Sequence, residues 1–350
     1  MTNNPTKLLC TALALAFCTG SPDAWAEKLY VSSTAYNSIY TFDTGIGAAS
    51  KVTFSSSLVN PYGLAFDSNG NLFVAGYSTA SIYKFDSING ILSATPTTYA
   101  SGLNGPTALA IDSTGNLFEA DYFSGNIYKF TSGVRSTLAN GPHYSFGLAI
   151  DSQGNLFAGD SSTLKIIKFT GSVPSVFAGG LANSGLCFDS NGNLWVANYN
   201  GSIYKFSNSN GTLSSTPLAF ATGLGELDSL VFDHQGNLFV SRTGNPNDGI
   251  IYEFANNNGT LSTTPTTFAS GLWGYLSLAI GPAALTSVTI NCFAGVIIHG
   301  TVGSNYVIQA QANINSSWVT LTNVTLPTSP YTFIDYSSPT NNQQFYRVTP

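Results

Sequence analysis

The chain has 350 residues and a formal net charge of −6, and only 8% of its residues are charged, so its polar surface is built mostly from Ser, Thr, Asn and Gly. An acidic chain with few lysines has no electrostatic footprint for nucleic acid. Its four cysteines form no C-x-x-C pair, and its three histidines are far apart, so no zinc site is readable from spacing.

Residues 1–26 read as a secretory signal peptide. Lys7 is followed by the apolar run Leu8–Phe17 and then by Ala24-Trp25-Ala26, an A-x-A cleavage site. The run is too short to span a membrane as a helix, and no later segment is long and apolar enough. Cleavage after Ala26 makes Glu27 the mature N-terminus and leaves the charge unchanged, because Lys7 and Asp23 leave together. The protein is therefore expected to be secreted, periplasmic or held at the cell surface. A lipoprotein reading through Cys18 is weaker, because bulky Phe17 stands where a small residue is needed.

From Leu29-Tyr-Val31 onward the chain repeats. Phe66-Asp-Ser-Asn-Gly-Asn-Leu-Phe-Val74 returns at Ile111–Glu119, Ile150–Ala158, Phe188–Val196 and Phe232–Val240. A period near forty residues marks a repeat architecture. Each copy places a small-residue apolar strand before the turn, a second strand after it, and a third strand of the type Ile82-Tyr-Lys-Phe85. A fourth, outer strand is expected at Thr97–Ala100, Ala219–Ala221 and Thr267–Ala269. The turn needs Asp67 to accept backbone N–H groups two residues on, and Gly70 to supply positive φ.

The first strand occurs six times, at Gly63, Ala108, Gly147, Gly185, Ser229 and Ser277. The third also occurs six times, at Ile39, Ile82, Ile127, Ile166, Ile203 and Ile251. The two series are out of phase, so Leu278-Ala-Ile280 must complete a sheet begun by residues 28–42. This predicts an all-β chain whose residues 27–283 form a six-bladed β-propeller. The motifs G-L-A-x-D, G-N-L-x-V-A and I-Y-x-F resemble NHL-type repeats and are similar to those of SMP-30/gluconolactonase-like propellers.

Residues 284–350 abandon the repeat. Short alternating runs at Ser287–Asn291, Val296–His299, Tyr306–Gln309, Trp318–Leu321, Tyr331–Ile334 and Phe345–Val348 predict a small β-sandwich. The segment resembles the fibronectin-like modules found at the C-termini of secreted bacterial proteins. Cys187, on an inner strand, and Cys292, in this tail, are expected to be buried thiols rather than a disulfide.

The Asp of each repeated turn (Asp67, Asp112, Asp151, Asp189, Asp233) reads as scaffold. Glu119, Asp121, Asp160, Glu226, Asp228 and Asp248 depart from the pattern. If the repeated turn is the bottom, then Asp121, Asp160, Asn198 and Arg242 follow second strands and reach the top. Asp228 begins a first strand there, and His143 lies in a loop between sheets. These six residues form the candidate ligand-binding mouth, with Tyr62, Tyr77, Tyr122, Tyr199, Trp273 and Tyr275 around it. Asp228 stands where other copies have Tyr62, Thr107, Phe146, Ser184 and Leu276, so no blade-building role is expected of it. Arg242 is either a substrate anchor or a partner of Asp228 or Glu226. An aromatic, weakly charged mouth suits a glycan, a peptide or a protein segment better than an anion.

The resemblance to gluconolactonase-like propellers implies a second reading, a lactonase, hydrolase or lyase that depends on Ca²⁺ or another divalent cation. In that family the cation is held by a Glu of an early blade and by Asn or Asp just before the Gly of the G-L-x strand. Here only Asp228 matches, and a calcium cage needs several oxygen ligands. Without the cation, no cofactor is expected. No G-x-S-x-G elbow is present, and no catalytic residue is assigned.

Overall fold

The computed structural model describes residues 27–88 and 90–281, and beyond them strands 294–298, 305–311, 319–325, 331–335 and 345–349 with residues 303 and 317. The expected leader with Cys18, the expected strand 287–291, Cys292 and His299 lie outside the described residues. The chain divides into a unit of residues 25–284 and a second unit containing residues 285–350.

Among the described residues the first unit holds six four-stranded antiparallel sheets. The first runs from the inside outward as Pro61–Phe66, Leu72–Gly76, Ser81–Phe85 and Thr97–Ser101. The second begins with Pro106–Ile111, the third with Leu148–Ile150, the fourth with Asn183–Phe188 and the fifth with Leu227–Phe232. The sixth combines Leu278–Gly281 with Lys28–Ser33, Ser38–Asp43 and Val52–Ser55. Its register, Leu29 opposite Ile280 and Tyr30 opposite Ala279, joins the first strand of the unit to its last. The innermost strands touch in cyclic order, and Leu278–Gly281 returns to Pro61–Phe66. The architecture is a β-propeller, and the phase offset of the two strand series is resolved by the composite sheet.

The repeated turn has the expected chemistry. Asp67 Oδ1 accepts the N–H groups of Asn69 (3.0 Å) and Asn71 (2.8 Å), and Asp67 Oδ2 accepts the Asn71 amide (2.7 Å). The Asn71 side-chain Oδ1 then accepts Ser87 N–H at 2.8 Å, tying the turn to the segment just after the third strand. Asp and Asn are thus required as a pair. Gly70 and its four equivalents hold φ between 76° and 83°.

The core lies between neighbouring sheets. Phe73, Ala75 and Ile82 of the first pack with Leu109, Leu117 and Phe130 of the second. The Phe that ends the I-Y-x-F motif, or its equivalent, is fully buried in all six sheets: Phe42, Phe85, Phe130, Phe169, Phe206 and Phe254. Each such ring contributes about 1.5–3 kcal/mol by burial. Lys84, Lys129, Lys168 and Lys205 lie over Phe73, Phe118, Phe157 and Trp195 at 5.1–5.8 Å, so the repeated lysine caps the aromatic ring of the adjoining strand. Near the axis, a Cβ at Gly63 would lie 2.4 Å from the Thr107 carbonyl oxygen, which explains the small residues of the inner strands.

In the second unit, Ala294–Ile298 pairs with Tyr331–Asp335, and Asn305–Gln311 pairs with both Val319–Thr325 and Phe345–Thr349. All these pairs are antiparallel, and five of the six expected tail strands coincide with them.

Candidate functional site: an aromatic face at the top of the propeller

Loops from several sheets meet at the end opposite the repeated turns, and aromatic rings occupy the meeting point. Tyr62, Phe146 and Tyr275 come from three different sheets and stack mutually, with centroids 5.0 Å (Tyr62–Tyr275), 5.2 Å (Phe146–Tyr275) and 6.1 Å (Tyr62–Phe146) apart. Tyr122 extends the group outward, contacting Tyr144 (4.7 Å), Phe123 (5.0 Å), Phe146 (5.4 Å) and Tyr77 (5.7 Å). Phe123 and Tyr144 remain 55% and 44% exposed, so the inner rings form a floor and the outer ones a crescent open to solvent. Burial pushes the Tyr62 hydroxyl up to about 12, with smaller contributions from Tyr77 and Asp228. On another side of the floor, Tyr199 is half exposed. Its hydroxyl is raised first by its hydrogen bond to Glu226, then by burial.

A cavity of about 370 Å³ runs along the axis between the inner strands. Phe146 stands at its top end, and Phe66, Phe232 and His234 mark its other end, near the repeated turns. The axial cavity therefore lies beneath the aromatic floor, and the top surface is a face with exposed rings rather than the mouth of a shaft.

The six polar candidates take different places. Asp121 is buried, and its Oδ2 accepts Asn104 N–H (2.6 Å) while Oδ1 accepts the Ser124 hydroxyl (2.8 Å). Asp160 receives the hydroxyls of Ser162 (2.6 Å) and Thr163 (2.7 Å). Burial alone would raise its carboxyl, but these bonds and the neighbouring N–H groups together hold it below the usual range. Asn198 accepts Asn200 N–H at 3.1 Å. These three side chains brace their own loops and do not bond one another. His143 is exposed and its imidazole packs on Gly125, where a Cβ would lie 2.5 Å from the ring.

Asp228 is 1% exposed, and it is bound differently from the expectation. Its Oδ2 accepts Leu276 N–H at 3.0 Å, its Oδ1 accepts the Thr243 hydroxyl, and the Tyr275 hydroxyl donates to its carbonyl oxygen at 3.1 Å. Thr107 and Ser184, at the same place in other sheets, donate to the Ser145 and Leu227 carbonyl oxygens of the sheet that follows. This column is a set of links between blades, so Asp228 does have a blade-building role. Burial pushes its carboxyl up to about 8, against the pull of the Thr243 and Leu276 hydrogen bonds and with a smaller push from Glu226. Arg242 pairs with neither Asp228 nor Glu226. It donates to the Asp248 carbonyl oxygen and lies 3.9 Å from the Asp248 carboxylate, because the fifth sheet's third strand is extended to Gly244–Phe254 and carries Asp248 back beside it.

Sequence reasoning found Tyr62, Tyr77, Tyr122 and Tyr275 but left Phe123, Tyr144 and Phe146 out of the mouth. The position of Phe146 before an inner strand, equivalent to Tyr62, was the available signal. Among the described residues no three His, Cys, Asp or Glu side chains form a group able to hold a metal ion. Cys187 is free and half-buried, and burial pushes its thiol up.

The beta-propeller repeat family matches residues 45–84. The comparison with curated protein sequences yields no match. Among solved structures, the chain is similar to one in a nidogen/laminin complex (19% identity, TM-score 0.59, covering 72% of this chain and 98% of that one). It is also similar to the aldose sugar dehydrogenase of Streptomyces coelicolor in its PQQ-bound form (16% identity, TM-score 0.51, 69% and 97%). A catalytically inactive virginiamycin B lyase of Staphylococcus aureus with quinupristin gives 12% identity and a TM-score of 0.50 over 72% and 87%. At these identities the likeness concerns the fold, which hosts unrelated activities.

Proposed function

We propose that the protein is an exported six-bladed propeller, with its mature chain beginning at Glu27, that binds a glycan or peptide ligand on its aromatic top face and carries a small C-terminal sandwich as an accessory module. The observation that carries this reading is the continuous aromatic group with exposed rings at Phe123 and Tyr144. Aromatic side chains give large contact areas at low conformational cost, with polar tips for orientation. The rival reading, a divalent-metal lactonase, hydrolase or lyase, draws on Asp228, but both carboxyl oxygens of that residue are directed to donors of its own chain.

The test is a binding screen against glycan and peptide arrays with the wild type and a Phe123→Ala/Tyr144→Ala variant. A ligand held by the wild type and weakened roughly tenfold or more in the variant supports the reading. Calcium-dependent lactone hydrolysis lost in Asp228→Asn would favour the rival. Mass spectrometry of the exported protein should give a chain starting at Glu27, and retention of residues 1–26 or a lipid on Cys18 would refute the leader assignment.

A further inference from the structure

The charge around the aromatic face is one-sided. Asp121, Asp160, Glu226, Asp228 and Asp248 stand at this end, against Arg242 and Lys165 and the imidazole of His143. Arg242 is already engaged by Asp248. Asp121, Asp160 and Asp228 are turned inward to donors of their own chain. Glu226 is the exception: it is exposed, it meets the hydroxyl of the half-exposed Tyr199, and it stands two residues before Asp228, whose carbonyl oxygen accepts the hydroxyl of the floor residue Tyr275 at 3.1 Å. The face thus offers aromatic rings with negative quadrupole faces and, at their margin, a solvent-facing carboxylate. Rings and carboxylate both attract a cation, and an anion would be repelled by both.

We propose that the occupant of this face is an extended basic peptide, which lies across the Tyr122, Phe123 and Tyr144 rings and places a Lys or Arg side chain against Glu226 and Tyr199. This rests on the top face being the ligand site and narrows its ligand from glycan or peptide to a cationic peptide segment. A guanidinium stacks on an aromatic ring and donates two hydrogen bonds to a carboxylate, so Arg fits best. The neutral isostere citrulline keeps shape and hydrogen bonding but loses the charge.

The experiment is fluorescence anisotropy on the full chain with labelled hexapeptides that differ only at a central Arg, Lys, citrulline or norleucine, alongside the glycan array. Arg and Lys peptides are expected to bind roughly tenfold more tightly than their neutral counterparts, and more weakly as salt is raised. Glu226→Gln should remove that preference while sparing most of the binding of the neutral peptides. Phe123→Ala/Tyr144→Ala should weaken all four peptides. These side chains are exposed, so unchanged melting of the variants keeps the comparison interpretable. Equal binding of the Arg and citrulline peptides overturns the inference. So does a glycan captured through the same rings, which would leave the top face as the ligand site. Binding of neither class with Kd below about 1 mM overturns both readings.

Discussion

Glu119 occupies the place that Val74, Val196 and Val240 hold in other sheets. It is fully buried, and neither carboxyl oxygen has a partner. Burial raises its carboxyl well above the usual value, Asp121 adds to the rise, and Arg135 opposes it. Asp228 is likewise raised, to about 8. In both cases the folded chain keeps a proton that the unfolded chain releases from about pH 4 upward. Their contribution to stability is therefore complete below pH 4, and for Asp228 it is lost progressively as pH rises towards 8. Thermal melts at pH 5 and pH 8 should give a lower Tm at pH 8. Glu119→Val should stabilise by about 1–3 kcal/mol by removing an unsatisfied buried group, with the larger gain at pH 8. A variant less stable than wild type at both pH values would mean that Glu119 has an unseen partner. The sequence marked both acids as departures from the repeat. It did not reveal that Asp228 faces a backbone N–H 48 residues away, because such a link depends on how neighbouring sheets are stacked.

At the scale of the element, the Asp-x-x-Gly-Asn turn is a unit whose parts act together. In the third sheet, Asp151 accepts Gln153 N–H (3.0 Å), Asn155 N–H (2.8 Å) and the Asn155 amide (2.8 Å). Asp151→Ala should cost about 1–2 kcal/mol in denaturant unfolding and leave ligand affinity at the top face unchanged. Loss of affinity without loss of stability would place a function in the turns. Strand order, outer strands and turn chemistry were legible because each repeats, so every copy checks the others. The top face was only half legible. Its loops do not repeat, and the extension of Gly244–Phe254 that pairs Arg242 with Asp248 breaks the period that made the rest readable. Similarly, His234 replaces the Ser found in four other turns. Only the fold shows why: its backbone N–H and ring both meet Glu27, which is buried at the start of the propeller.

At the scale of the whole molecule, the ring is held by noncovalent pairing of Lys28–Ser33 with Leu278–Gly281. Removing residues 275–281 should bare the inner edge of Lys28–Ser33 in the composite sheet and deprive the Asp228 carboxylate of its donor, Leu276 N–H. Size-exclusion chromatography should then show self-association, and the melting temperature should fall. A monomeric truncation with unchanged Tm would contradict closure at this sheet. Cleavage near Ala283 should release two fragments that melt independently, as expected if the tail strands form their own core. Aggregation of the 27–283 fragment would sink that division.

Joining the first strand to the last also sets a timetable for biosynthesis. The strand at Lys28–Ser33 is made first, yet its inner neighbour is roughly 250 residues downstream. At a ribosomal rate of about 5–20 residues per second, that partner follows some 13–50 s later. For this interval the nascent propeller is an open arc whose leading strand has a bare hydrogen-bonding edge, and five completed sheets cannot protect it. A pause or premature stop before Gly281 would leave that edge permanently available to other chains. The last four residues of the propeller are thus the ones on which its behaviour as a monomer waits.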